Sequence, residues 1–394
     1  MYNQKMHALG SNRSVIRELF EFGKIFAQEK GADKVFDFSL GNPNVPAPES
    51  VREALQELIS YPDSTTIHGY TSAQGDINVL KTVANSIKTR FGIDMPHNLI
   101  YMTVGAAAAL TITLNALYED GDEVLINAPY FPEYRVFSTA AGYKCVEIEA
   151  NSDMTLNLEV IASKINSKTK AIIVNSPNNP TGVVYSEEQI KGLCEILATK
   201  SKEIGHPIFL ISDEPYREIV YDNAFVPYLM NYYDDTIVCY SYSKSLSMPG
   251  ERIGYIAISP KCTDCTDIYY AVCGAGRSLG YVCAPNLFQK VIAKCIDSVG
   301  DIDAYKRNRD LLLDNLTSFG YECIQPQGAF YLFVKAPNGD ASSFSETAKK
   351  YGLLLVPSDS FGIKGYVRIS YCVSYDMISR SLPYFKELMG EYVR

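Results

Sequence analysis

Residues 241–255 read Ser241-Tyr242-Ser243-Lys244-Ser245-Leu246-Ser247-Met248-Pro249-Gly250-Glu251-Arg252-Ile253-Gly254-Tyr255. The run lies between two short apolar stretches, 236–240 and 254–259, each of strand length. Outward from it, five more such stretches (99–104, 123–127, 144–149, 171–175 and 208–212) alternate with helical segments or turns. Short, nearly continuous apolar runs are what strands buried on both faces of a sheet require. The pattern predicts an α/β fold, with a mostly parallel seven-stranded sheet between helices. Beyond about residue 296 the pattern changes. Helices over 303–318, 342–351 and 377–392 interleave with strands near 321–325, 330–335 and Arg368, which reads as a smaller α+β domain.

Residues that carry chemistry follow the strand ends, where open α/β sheets bind ligands. Lys244 is flanked by hydroxyls and stands eight residues before Arg252. The amine suits a carbonyl carbon at one end of a ligand, and the hydroxyls and guanidinium suit an anion at the other. Val104-Gly105-Ala106-Ala107-Ala108 opens a helix. There glycine allows close approach, and the free N–H groups of the first turn suit a phosphate. Asn178-Asn179-Pro180-Thr181-Gly182 is a turn on composition alone. Asp213-Glu214-Pro215-Tyr216 closes the 208–212 run. Arg368 lies mid-strand among apolar neighbours, a costly place for a charge without a partner, and its planar fork suits a carboxylate.

In this order and spacing, the lysine run, the Asp-Glu-Pro-Tyr run, the Asn-Pro-Thr-Gly turn and Arg368 resemble the class I/II aminotransferases. These are the aspartate aminotransferase family, with the pyridoxal 5′-phosphate (PLP) fold type I. The resemblance extends from Gly41 to Arg368. It implies that Lys244 forms a Schiff base to PLP and that Ser241, Ser243, Arg252, Gly105, Ala106 and Ala107 hold the phosphate. Relatives often carry Ser or Thr among those alanines; here backbone N–H groups must serve. It further implies that Asp213 keeps the ring nitrogen protonated, because an adjacent opposite charge favours the charged form. Asn179 and Tyr216 match the residues that bond the phenolate oxygen. Phe131, or Tyr130 one position away, matches the aromatic that stacks on the ring. Arg368 matches the arginine for the substrate α-carboxylate, and Gly41 the loop over it. Tyr70 matches a tyrosine that reaches the phosphate of a neighbouring subunit, which implies a homodimer with a shared site. The implied division is residues 1–45 joining the small domain, 46–295 as the PLP-binding domain and 296–394 as the small domain.

Composition narrows the classes. With 394 residues, 47% hydrophobic and 21% charged, the chain has ample material for a large core. The formal charge of −9 argues against nucleic acid, which calls for a basic face. Residues 1–14 are polar, and no apolar run reaches membrane-spanning length, so neither a leader nor a span is expected. Ten cysteines are scattered. Cys262 and Cys265 have C-x-x-C spacing without a second pair, so reduced cytoplasmic thiols and no metal are expected.

The expected activity is transfer of an amino group from an L-amino acid to a 2-oxo acid. The same scaffold supports a carbon–sulfur β-lyase of the cystathionine β-lyase kind, because the motifs specify cofactor better than reaction. A silent PLP-binding regulatory domain would call for a DNA-binding module, and no basic helix-turn-helix pattern precedes Gly41. Arg277, in the glycine-rich stretch 274–278, is expected in a loop, either lining the substrate pocket or as a solvated charge.

Overall fold

The computed structural model describes residues 1–11 and 15–393. The chain divides into two compact units. The larger comprises Val45–Ile302 with Gln327–Ala329, and the smaller Met1–Asn44, Asp303–Pro326 and Phe330–Arg394.

The larger unit is built on a seven-stranded sheet. In chain order its strands are β1 (Ile100–Thr103), β2 (Glu123–Asn127), β3 (Lys144–Ile148), β4 (Thr169–Asn175), β5 (Phe209–Asp213), β6 (Thr236–Ser241) and β7 (Gly254–Ile258). Their spatial order is β1-β7-β6-β5-β4-β2-β3. β7 runs antiparallel to both β1 and β6, and every other pairing is parallel. The sheet is therefore the mostly parallel one that the apolar runs predict. All residues of β1, β2, β5, β6 and β7 are buried, whereas the edge strand β3 leaves Lys144 and Glu147 exposed. A covered parallel sheet needs apolar residues on both faces, and an edge does not.

Register brings the chemistry-bearing ends together. Asn175 pairs with Asp213 across β4 and β5, Asp213 with Cys239 across β5 and β6, and Ser241 with Gly254 across β6 and β7. The Ala106–Leu117 helix follows β1 and packs against β6, β7 and the Cys265–Leu279 helix. The close approach of that second helix is set by Gly276, where a Cβ would collide with the Tyr101 hydroxyl.

The smaller unit has a four-stranded antiparallel sheet, ordered Val356–Pro357, Tyr366–Ser370, Tyr331–Lys335, Cys323–Ile324. Phe36–Asp37 pairs in parallel with Leu353–Leu354, so the N-terminal stretch belongs to this unit. The Ala341–Lys349 and Tyr375–Gly390 helices start on side-chain caps from Asp340 and Ser374. Among the described residues no helix is long and apolar enough to cross a membrane. No group of three or more His, Cys, Asp or Glu among them is placed to hold a metal ion.

Candidate active site

Lys244 stands on a single helical turn, Tyr242–Ser245, that begins where β6 ends. Ser241 caps this turn: its hydroxyl accepts from the N–H of Ser243 at 3.2 Å and lies 2.8 Å from the Ser243 hydroxyl. The chain then passes through Arg252, which adopts a left-handed conformation (φ +53°) before entering β7. Such backbone is tolerated where the surroundings over-determine it. The Arg252 guanidinium donates to the Pro249 carbonyl at 3.0 Å and to the Ser243 hydroxyl at 3.4 Å. It also lies over Gly105, where a Cβ would come within 2.6 Å of Nη2. Gly105 has φ +91° and heads the Ala106–Leu117 helix. Any side chain there would fill the space the guanidinium occupies. Gly254 is equally constrained, because its Cβ would strike the Tyr240 carbonyl and approach Gly105 Cα to 3.2 Å. The ends of β1, β6 and β7 thus gather two hydroxyls, one guanidinium and a free helix N-terminus. This is a donor set for a phosphate.

Asp213 ends β5 beside this cluster and is almost fully buried. Tyr134, on the Glu133–Ala141 helix, donates its hydroxyl to Asp213 Oδ2. Oδ1 is buried with no hydrogen-bond partner among the described residues. Burial pushes the carboxyl up to about 7, against the lowering effect of the Tyr134 hydrogen bond and with a smaller upward push from the Glu214 charge. A buried carboxylate with one unused oxygen suits a positively charged N–H. Glu214, next in the chain, is turned elsewhere. It forms a buried two-pronged pair with Arg217 and accepts from the Ser212 hydroxyl at 2.7 Å.

The asparagine turn is tied to the same strand ends. Asn175 Nδ2 donates to the Asp213 carbonyl at 2.9 Å, and its Oδ1 accepts from the N–H of Asn179 at 2.8 Å. Asn178 Oδ1 accepts from both the N–H and the hydroxyl of Thr181. Gln327 and Gly328 donate backbone N–H groups to the Gly182 carbonyl at 2.8 and 2.9 Å, so a far-distant segment props this turn. Asn179 and Tyr216 are both buried.

In the smaller unit, Arg368 is buried at 3% exposure on the Tyr366–Ser370 strand. Its Nη2 donates to the Ser39 carbonyl at 2.7 Å. The guanidinium is centred 4.6 Å from the Tyr331 ring and 5.1 Å from the Phe361 ring. Gly41 closes on the same tyrosine, for a Cβ there would overlap the Tyr331 hydroxyl. Ser39, Gly41, Tyr331 and Phe361 therefore fix one arginine fork.

Four further positions bear on the sequence expectations. Phe131 packs edge-on against Tyr134, with ring centroids 5.7 Å apart, and so lies next to the Asp213 cluster. Tyr130 is 1% exposed, and the charges that act on its hydroxyl are those of Glu147 and Arg135. Tyr70 is 97% exposed in the single chain. Arg277 requires a correction: it occupies the exposed last turn of the Cys265–Leu279 helix, not a loop. The glycines at 274 and 276 read as loop formers, but Gly276 is there to let the helix pack on Tyr101.

Two residues of this constellation escape sequence reasoning. Tyr134 and Asn175 stand 79 and 38 positions from Asp213, and neither belongs to a local pattern that announces the contact.

The fold is that of the PLP-type aminotransferases. The aminotransferase class I and II family matches residues 33–382, and the chain belongs to that family. A probable aspartate aminotransferase of Methanocaldococcus jannaschii is 30% identical over 386 residues, covering 95% of this chain and 96% of its own. Aromatic-amino-acid aminotransferase 2 of Thermococcus litoralis is 28% identical over 394 residues, 96% of each chain. Among solved structures, an amino transferase from Eubacterium rectale is 52% identical, with a TM-score of 0.98 over 100% of both chains. Transamination, rather than carbon–sulfur elimination, is the reaction that the family and these relatives support.

Proposed function

We propose that this chain moves an amino group from an L-amino acid to a 2-oxo acid with PLP carried on Lys244, and that it works as a cytoplasmic homodimer. The observation that carries the reading is the meeting of the Lys244 turn with Ser241, Ser243, Arg252 and Gly105, beside Asp213 on the adjoining strand end. The residues fit the cofactor in two respects. The buried Oδ1 of Asp213, without a hydrogen-bond partner among the described residues, suits a pyridinium N–H. The Gly105–Arg252 cradle, with the N–H groups of Ala106 and Ala107, suits a phosphate.

When bound, PLP supplies a carbonyl carbon for amines and a protonated ring that draws electrons away from the substrate Cα. The protein supplies the rest. Nζ of Lys244, once displaced by the incoming amino group, is the base that takes and holds the substrate Cα proton. Asp213 holds the ring nitrogen charged. Asn179 and Tyr216 donate to the phenolate oxygen, and Phe131, beside Tyr134, covers the ring. The Arg368 fork takes the α-carboxylate under the Gly41 loop and so selects which Cα bond reacts. Tyr70, exposed in the single chain, is offered to the phosphate of a second copy.

The relatives' names point to aspartate or an aromatic amino acid as donor. The test is the visible spectrum of the purified protein, before and after a panel containing aspartate, phenylalanine and tyrosine. A yellow band that bleaches to the pyridoxamine form, with 2-oxo acid released, supports the proposal and names the donor. A band that persists while pyruvate and ammonia accumulate would replace transamination with elimination. No band after PLP is added would remove the reading.

A further inference from the structure

The geometry points to Tyr134 as the positioning residue that orients Asp213 and favours its ionised form, leaving its second oxygen for the cofactor ring. The inference rests on the proposed role of Asp213 and extends it to a residue 79 positions away.

A carboxylate has two oxygens. In Asp213 one of them, Oδ2, accepts from the Tyr134 hydroxyl, and the other, Oδ1, is buried without a partner among the described residues. A single fixed donor therefore decides which oxygen remains. Tyr134 is itself fixed. It is 2% exposed, it stands in the first turn of the Glu133–Ala141 helix, and its ring packs edge-on against Phe131. A hydrogen bond to a charged acceptor is stronger than one to a neutral acceptor, so the donor favours the carboxylate over the acid.

The groups around the pair define how much depends on that donor. Glu214 is a like charge that acts on Asp213, and it is paired with Arg217. The Cys239 thiol lies across the strand pair and bonds to Thr113. The Tyr185 and Tyr216 hydroxyls are the other titratable groups near Tyr134. None of these is a cation. Burial drives the Asp213 carboxyl upward, and the Tyr134 hydrogen bond is the opposing influence. Without it, the pull of burial toward the neutral acid loses the hydrogen bond that opposes it. A neutral acid cannot hold a pyridinium proton by charge.

The test compares the affinity of the full-length protein for PLP with that for 1-deaza-PLP, in which a carbon replaces the ring nitrogen. Equilibrium dialysis of wild type, Tyr134→Phe and Asp213→Asn measures both. Tyr134→Phe is expected to lower the PLP-to-analogue affinity ratio roughly tenfold or more, with analogue affinity unchanged, and Asp213→Asn is expected to abolish the preference. A general packing defect would weaken both ligands alike and would sink the inference. If Asp213→Asn removes the preference while Tyr134→Phe keeps it, Tyr134 has no such role but the Asp213 assignment stands. If Asp213→Asn keeps the preference, the assignment of Asp213 fails, and Tyr134 with it. Should the phenylalanine variant not fold, 3-fluorotyrosine at position 134 provides a stronger donor and must raise the ratio; an unchanged ratio overturns the inference.

Discussion

Asn175 joins Asp213 to the asparagine turn: one end of its amide donates to the Asp213 carbonyl, and the other accepts from the N–H of Asn179. Both partners are buried, so neither finds water if the amide is removed. Asn175→Ala is expected to cost about 1–3 kcal/mol in urea unfolding, the usual penalty for orphaned buried polar groups. It is also expected to lower kcat per folded molecule, because two proposed cofactor contacts lose their common brace. An unchanged kcat alongside the stability loss would show that the brace serves folding alone.

Lys244 and the anion cradle make separable contributions. The serines, Arg252 and the Ala106 N-terminus do not depend on the lysine amine for their geometry. Lys244→Ala is therefore expected to abolish transamination while still retaining PLP non-covalently, through the phosphate end. Gel filtration followed by absorption spectroscopy measures both. Activity at the wild-type level in this variant would end the central assignment.

Asp213 gives stability a defined pH dependence in the cofactor-free protein. Burial raises its folded-state pKa from 3.8 to about 7. The folded state thus holds the proton more tightly than the unfolded chain. The contribution to stability is full below about 4 and is lost as pH rises toward 7, by at most about 1.4 kcal/mol per pH unit. Urea midpoints of wild type against Asp213→Asn, taken between pH 5 and 8 without PLP, should converge or cross with that sign. A wild type that gains stability over Asp213→Asn as pH rises would contradict it.

Much of this organisation is legible in sequence because it is local. Apolar runs of strand length announce the seven strands, and Lys244, Asp213 and Asn179 follow their ends within a few residues. The hydroxyls and Arg252 stand in one fifteen-residue run, so their meeting at Gly105 needs only that β7 pair with both β6 and β1. What is not legible depends on contacts across the fold. Tyr134 and Asn175 are an ordinary helical tyrosine and an ordinary strand-end asparagine until the fold sets them around Asp213, Asn175 through the β4–β5 pairing and Tyr134 from the helix after β2. Gly274 and Gly276 misplace Arg277 for a related reason: glycine signals a loop locally, whereas here Gly276 answers a packing demand from Tyr101. The support of the asparagine turn by Gln327 and Gly328 is equally invisible, since it joins segments almost 150 residues apart.

Glu214 shares a motif with Asp213 but is expected to behave differently. It is 1% exposed and grips Arg217, which is 6% exposed and also donates to the Val226 and Pro227 carbonyls at 3.1 and 3.0 Å. The guanidinium further lies 5.0 Å from the Tyr228 ring. Removing one member of such a pair strands the other charge in the interior, which typically costs about 3–5 kcal/mol. Removing both leaves no stranded charge. Glu214→Ala is thus expected to lose stability in that range, and Glu214→Ala combined with Arg217→Met to recover a large part of it. Activity per folded molecule should stay near wild type in the double variant, because the hydrogen bonds of the pair go to each other, Ser212, Val226 and Pro227 rather than to Asp213. A double-variant loss equal to or greater than the sum of the single losses would show that the two charges are not held mainly by each other. A collapse of kcat with full stability would move Glu214 from the framework to the reaction.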